Sequence, residues 1–170
     1  MADTLTGGFI IDELKGAGVE FVVALPDIVT CDELLWPIAR QKPFRLVNVC
    51  KEDEGVSICA GMSYAEKRAV LLIQHTGFLD SINAIRVMGM DYQLPIVMMV
   101  GLQGIEKDRA PAASDQNGVR IIEPILLAMQ IQYRVLDAQC QAGTIRWAID
   151  AAYSKGHPLA LLIPAIGGQV

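Results

Sequence analysis

Three adjacent carboxylates, Glu52, Asp53 and Glu54, follow a hydrophobic run from Phe44 to Cys50 and precede a segment, Gly55 to Met62, that is small or apolar nearly all round. Carboxylates placed there have two uses. In the first turn of a helix they meet the positive end of its dipole, worth about 0.3–1 kcal/mol. In a desolvated cleft one of them can share or relay a proton. A second group, Gln74, His75, Thr76 and Gly77, closes another apolar run. An imidazole in that position is either a satisfied structural residue or a proton donor and substrate ligand, since histidine titrates near neutrality. Asp27, after Leu25 and Pro26, either shapes a turn or transfers a proton. Asp80, Ser81 and Asn83 suit helix capping, and Asn83 is also a candidate substrate contact. His157 precedes the last apolar run and reads as structural, while Met88, Met90, Met98, Met99 and Met129 read as core or interface filler rather than a metal box.

These groups need elements to hold them. Apolar runs of strand length occur at Glu20 to Leu25, Arg45 to Val49, Val70 to Gln74, Ile96 to Gly101, Tyr133 to Leu136 and Leu159 to Ile163. Segments of helical period lie between them, at about 5–16, 31–41, 53–66, 80–90, 117–130 and 142–154. Regular alternation of this kind predicts an α/β fold: an open, mostly parallel six-stranded sheet with helices on both faces. Such sheets place ligands at the carboxyl ends of their strands, where the polar groups above fall. The stretch after the fourth run, from Leu102 to Asn117, is the longest irregular one, a length usually functional or mobile. With no internal repeat and no linker, residues 1–170 read as one domain.

Composition removes several classes of function. The 170 residues carry a net charge of -5 with Lys and Arg scattered, which argues against a nucleic-acid partner. The longest charge-free apolar stretch, Leu94 to Leu102, is about half of the roughly 20 residues that span a bilayer. The start of the chain lacks the basic region and cleavage site of a secretory signal, so a cytoplasmic location is expected. Neither a glycine-rich dinucleotide fingerprint nor a phosphate-binding P-loop occurs. Cys31, Cys50, Cys59 and Cys140 form no C-x-x-C pair and the two histidines are far apart, which argues against a zinc site. Three of the cysteines lie in apolar segments and read as small buried hydrophobes. At 52% hydrophobic and 19% charged residues, with mean hydropathy +0.36, the chain is greasy for a lone domain, so another chain is expected to cover an apolar face.

The run Val47 to Gly77 resembles the pyrimidine-binding (PYR) domain of thiamine diphosphate enzymes of the 2-oxo acid decarboxylase and acetolactate synthase type. In that family a strand ends in a glutamate, a glycine follows nine residues later, and a second strand ends in Ser or Thr then Gly, sixteen residues beyond. Positions 52, 61 and 77 hold Glu, Gly and Gly. GAGVEFVVALPD, IIEPILLAMQIQYRVL and KGHPLALLIP resemble the family's first, late and closing segments. The strings E-D-E-G-V-S-I-C-A-G and Q-H-T-G-F-L-D-S-I-N-A-I are similar above all to sulfopyruvate decarboxylase α chains and the first domain of phosphonopyruvate decarboxylases. His75 stands where those relatives commonly have asparagine.

The resemblance implies a flavodoxin-like PYR domain in which Glu52 hydrogen-bonds N1′ of the cofactor's aminopyrimidine and so promotes removal of the thiazolium C2 proton. It implies that Pro26, Gln74, His75, Thr76 and Gly77 face thiamine diphosphate, and that Asp27, His75 and Asn83 face the substrate. It further implies a carboxy-lyase acting on a small 2-oxo acid, with phosphonopyruvate decarboxylation, acetolactate-type carboligation or a non-catalytic assembly role as alternatives. The G-D-G and N-N segments with which the family holds diphosphate and Mg2+ do not occur in this sequence. A β-like subunit is therefore expected to carry them in a hetero-oligomer, with the strand ends and the apolar helix from Gly55 to Met62 covered by it. For an anionic substrate tail the candidate cations are Lys51, Lys107 and Arg109.

Overall fold

The computed structural model describes residues 5–167. Its six strands are β1 (Phe21–Ala24), β2 (Arg45–Asn48), β3 (Ala69–Gln74), β4 (Val97–Gly101), β5 (Gln132–Val135) and β6 (Leu159–Ile163). All adjacent pairs are parallel, in the order β2-β1-β3-β4-β6-β5. The α/β class and all six strands follow the sequence expectation. β3, β4 and β6 are covered on both faces and accordingly read as unbroken apolar runs, whereas the edge strands β2 and β5 mix exposed and half-buried positions.

Alternate residues of each strand enter opposite cores, as the period of two requires. Val22, Val70, Leu72, Val97 and Met99 face one layer, built on α1 (Gly7–Gly16), α2 (Trp36–Ala39) and the C-terminal helix Thr144–Lys155. Val23, Leu71, Ile73, Met98 and Val100 face the other. That second layer comprises α3 (Glu52–Tyr64), α4 (His75–Asp80), α5 (Ile82–Ile85), α6 (Asn117–Arg120) and α7 (Ile122–Ala128); the C-terminal helix is α8. Local chemistry sets the ends of these helices. The Thr6 hydroxyl accepts from the Phe9 amide at the start of α1. Gly156, at φ 64, stops α8 in the left-handed conformation that glycine adopts without strain.

Several helices are shorter than their apolar period implies. The segment 31–41 is a π-helical turn, Cys31–Leu35, that passes into α2 where Pro37 supplies no amide hydrogen. The segment 80–90 divides into α4, α5 and a second π-helical stretch, Arg86–Asp91, with Gly89 pressed against Pro158. The segment 117–130 is interrupted at Ile121 between α6 and α7.

The helix expected to be covered by another chain is buried on one side within this one. Gly55, Val56, Cys59 and Ala60 of α3 pack on the sheet, and Gly55 lies so close to it that a Cβ there would come within 2.5 Å of Leu71 Cδ1. The opposite face exposes Ser57, Gly61 and Tyr64, with Ile58 and Met62 half-buried. Small apolar residues satisfy helical packing on one side without being covered on the other. The cysteines divide similarly: Cys59 is buried, and burial pushes its thiol up to about 12, but Cys50 is exposed and Cys31 and Cys140 are half-buried.

Candidate active site

The chain runs from β1 to β2 on one side and then crosses to β3 on the other, so the carboxyl ends of β1 and β3 form a topological switch point. A cavity of about 210 Å³ opens there. Leu25, Pro26, Asp27 and Ile28 line it from the loop after β1; Glu52, Gln74 and Gln103 line it from the ends of β2, β3 and β4.

The three acids of the β2–α3 turn take different tasks. Glu54 reaches back, its Oε2 accepting from the backbone amides of Cys50 at 3.0 Å and Lys51 at 3.2 Å. It is thus the helix cap. Asp53 stays in the same turn, its Oδ1 accepting from the Glu54 amide at 3.0 Å. Glu52 alone enters the cavity, and no hydrogen bond among the described residues uses its carboxylate. Its side chain lies across Gly77, where a Cβ would stand 2.2 Å from Oε1 and 2.3 Å from Cγ. The glycine at the start of α4 is therefore a steric requirement of Glu52's position, which is the physical content of the spacing between them. Gly61 has no such requirement within this chain: nothing lies within 4 Å of a Cβ built there.

Asp27 is 8% exposed and fully engaged. Its Oδ1 accepts from the amides of Val29 (2.7 Å) and Thr30 (3.1 Å), and its Oδ2 accepts from the Thr30 hydroxyl. Those bonds close the turn into the Cys31–Leu35 helix, which is the turn-forming use of Asp. Gly101 leaves room for it, since a Cβ there would be 2.9 Å from Asp27 Oδ1.

His75 is not brought to the cavity wall. The imidazole is 7% exposed and packs against Gly118 of α6, whose Cβ, were there one, would be 3.0 Å from Nε2. Its Nδ1 is buried without a hydrogen-bond partner. Burial lowers the His75 pKa from 6.5, opposed by the Gly101 backbone and the Asp27 carboxylate, so the ring favours its neutral form.

Thr76 and Gln74 form a polar chain instead. The Thr76 hydroxyl donates to Gln74 Oε1 at 2.5 Å, and Gln74 Nε2 donates to Gln103 Oε1. Gln103 carried no signal in the sequence beyond its place at the head of the long loop after β4. That loop is locally ordered: Glu106 accepts from the Ser114 hydroxyl (2.8 Å) and the Asp115 amide (3.0 Å), bonds that hold its pKa low.

The remaining candidates lie elsewhere. Asn83 is exposed and accepts from the Arg86 guanidinium at 3.2 Å. Asp80 pairs with Lys51 at 3.4 Å and Arg109 with Asp115 at 2.7 Å. Ser81 does not cap α5; its hydroxyl is buried without a partner. Among the described residues no group of three or more His, Cys, Asp or Glu side chains is arranged to hold a metal, and no helix is long and apolar enough to cross a membrane.

No family model matches the chain. It is similar over nearly its whole length to the sulfopyruvate decarboxylase subunit alpha of Methanocaldococcus jannaschii, at 28% identity over 158 residues covering 92% of both chains. The sulfopyruvate decarboxylase subunit alpha of Methanothermobacter thermautotrophicus is 28% identical over 129 residues, 76% of each chain. A sulfopyruvate decarboxylase of Methanosarcina acetivorans is 29% identical over 101 residues, 58% of this chain but only 25% of that longer one.

Proposed function

We propose that this chain is the α subunit of a two-subunit thiamine diphosphate-dependent carboxy-lyase that converts 3-sulfopyruvate to sulfoacetaldehyde and CO2, and that Glu52 is its cofactor-activating carboxylate. The observation that carries the reading is the state of Glu52: released from capping by Glu54, without a hydrogen bond among the described residues and laid over Gly77 in a cavity at the switch point. Near-full-length similarity to proteins named sulfopyruvate decarboxylase subunit alpha supports the substrate and the subunit role.

The residues fit one half of the cofactor. An uncommitted carboxylate beside the apolar side chains of Leu25, Pro26 and Ile28 suits an aminopyrimidine ring, and Gly77 leaves room for the Glu52 side chain. Bound thiamine diphosphate supplies the electron sink for loss of CO2 from the 2-oxo acid. Glu52 holds the proton exchanged at the pyrimidine ring nitrogen. Leu25, Pro26 and Ile28 line the cavity on the apolar side of that proton.

The diphosphate half and Mg2+ belong to a β-like partner in this reading, because the described residues offer no metal-ligand cluster. The open face of α3, with Gly61, Tyr64 (84% exposed), Ile58 and Met62, is the surface for that partner together with the strand ends. In this reading the assembly is a cytoplasmic hetero-oligomer. The test is co-expression with the β-like chain and assay on 3-sulfopyruvate, phosphonopyruvate and pyruvate with Mg2+ and the cofactor. Sulfoacetaldehyde formed in step with CO2 is expected. Turnover of phosphonopyruvate alone would reassign the substrate. Acetolactate from pyruvate without free aldehyde, or no turnover of any of the three, would overturn the reading.

A further inference from the structure

The polar side chains of the cavity divide into acceptors and donors, and the donors are few. Asp27 accepts three hydrogen bonds from its own turn, and Glu52 is an acceptor when ionised. No lysine or arginine lines the cavity among the described residues. Of the three candidate cations, Lys51 is paired with Asp80, Arg109 is paired with Asp115, and Lys107 is exposed and does not line the cavity. The side-chain donors that remain are the amides of Gln74 and Gln103.

Those amides are polarised in one direction. Thr76 gives its hydroxyl hydrogen to Gln74 Oε1, and Gln74 Nε2 gives one of its own to Gln103 Oε1. Each carbonyl oxygen thereby already accepts one hydrogen bond. The second N–H of Gln74 and both N–H groups of Gln103 stay available, so the chain of three residues ends in hydrogen donors. Gln74 and Thr76 are anchored by the junction of β3 and α4, while Gln103 follows β4, the neighbouring strand. The pair therefore spans two elements that a rigid sheet holds in register, Gln74 opposite Gly101. A 2-oxo acid brings a carboxylate and, in sulfopyruvate, a sulfonate. Both groups are acceptors only, and an amide hydrogen bond to a charged oxygen is stronger than one to a neutral group.

We propose that the Gln74–Gln103 amide pair, oriented by Thr76, is a substrate-binding element that donates hydrogen bonds to an acid oxygen of the 2-oxo acid and sets its selectivity. This rests on the decarboxylase reading above. The amides are neutral, so they orient the anion without holding it as a paired cation would.

The experiment uses the reconstituted α/β complex with Gln103→Leu, Gln103→Glu and Thr76→Val, measuring kcat and KM on 3-sulfopyruvate and pyruvate and, separately, thiamine diphosphate affinity by fluorescence quenching. Gln103 and Thr76 are exposed, so the fold should tolerate all three. Gln103→Leu is expected to raise KM by about 10- to 100-fold, Gln103→Glu by more because it sets a like charge against the anion, and Thr76→Val by a few-fold, with cofactor affinity unchanged within about two-fold. A rise confined to sulfopyruvate assigns the donors to the sulfonate; an equal rise for both acids assigns them to the shared carboxylate. KM within two-fold of wild type for both acids in both Gln103 variants overturns the inference, as does a matching loss of cofactor affinity. A wild-type complex that releases CO2 from neither acid overturns instead the reading beneath it.

Discussion

Two concave regions of this chain differ in kind. The larger is a groove of about 750 Å³ along the outer edge of β5, between Leu127 of α7 and Trp147 of α8, which are 64% and 63% exposed. The smaller, about 210 Å³, lies at the switch point. Volume alone would select the groove. The groove, however, is built mostly from one edge strand and its two flanking helices, with Leu159 of β6, and its walls carry no carboxylate or imidazole. The small cavity draws on the ends of four strands, and two acids and two amides converge there. Convergence from separate elements holds groups in fixed relation, and that is what acid–base chemistry requires of a site.

Substitutions should separate the two regions. The largest effect is expected from Glu52→Gln, which keeps the shape of the side chain and removes the titrating carboxyl: kcat of the α/β complex should fall by about 10²–10⁴, while Glu54→Gln should lower stability by about 1 kcal/mol and leave most of the activity. Turnover by Glu52→Gln within a few-fold of wild type would erase the distinction between the regions. Next is Gly77→Ala. Its methyl group would displace the Glu52 carboxylate, and misplacement by about 1 Å can cost about 10²-fold in kcat, with little change in the thermal midpoint of unfolding. Asp27→Ala should cost about 2 kcal/mol in denaturant unfolding, since it leaves the Thr30 hydroxyl and two amides without their acceptor.

A smaller effect should appear in the pH dependence of stability. The folded pKa of His75 lies below its ordinary 6.5, so below that pH the unfolded chain binds the proton first. Stability should decline as pH falls from 6.5 toward the folded value, and His75→Gln should remove that part of the slope in urea titrations across pH 5–7. The smallest effect belongs to the groove: Leu127→Ser with Trp147→Ser should leave kcat and KM within two-fold. A ten-fold loss would mean that the groove serves the reaction.

The architecture was legible in the sequence because parallel strands covered on both faces leave unbroken apolar runs, and β1 to β6 fall within about one residue of those runs. Helix continuity was less legible. Apolar period does not register the missing amide of Pro37 or the contact of Gly89 with Pro158. Glu52 was singled out from its two acidic neighbours only through the spacing of the family that the sequence resembles, and in the fold its side chain lies across Gly77. His75 and Asn83 could not be placed, since sequence position at a strand end does not say whether a side chain turns into the cleft or behind it. Gln103 was missed because a single amide in a loop has no pattern. Its partner lies 29 residues away, and only the pairing of β3 with β4 brings them together.

The strand order has a consequence for how the chain is made. β6 lies between β4 and β5, although β5 precedes it in sequence. During synthesis β5 emerges with no neighbour to pair with, since β4 offers its edge to β6 and not to β5. The four strands that bear the site can assemble first, while Gln132–Val135 waits for Leu159–Ile163 to leave the ribosome. Cutting the chain ahead of β6 would therefore strand two elements rather than one, and would bare the flank of β4 to other chains as an open template.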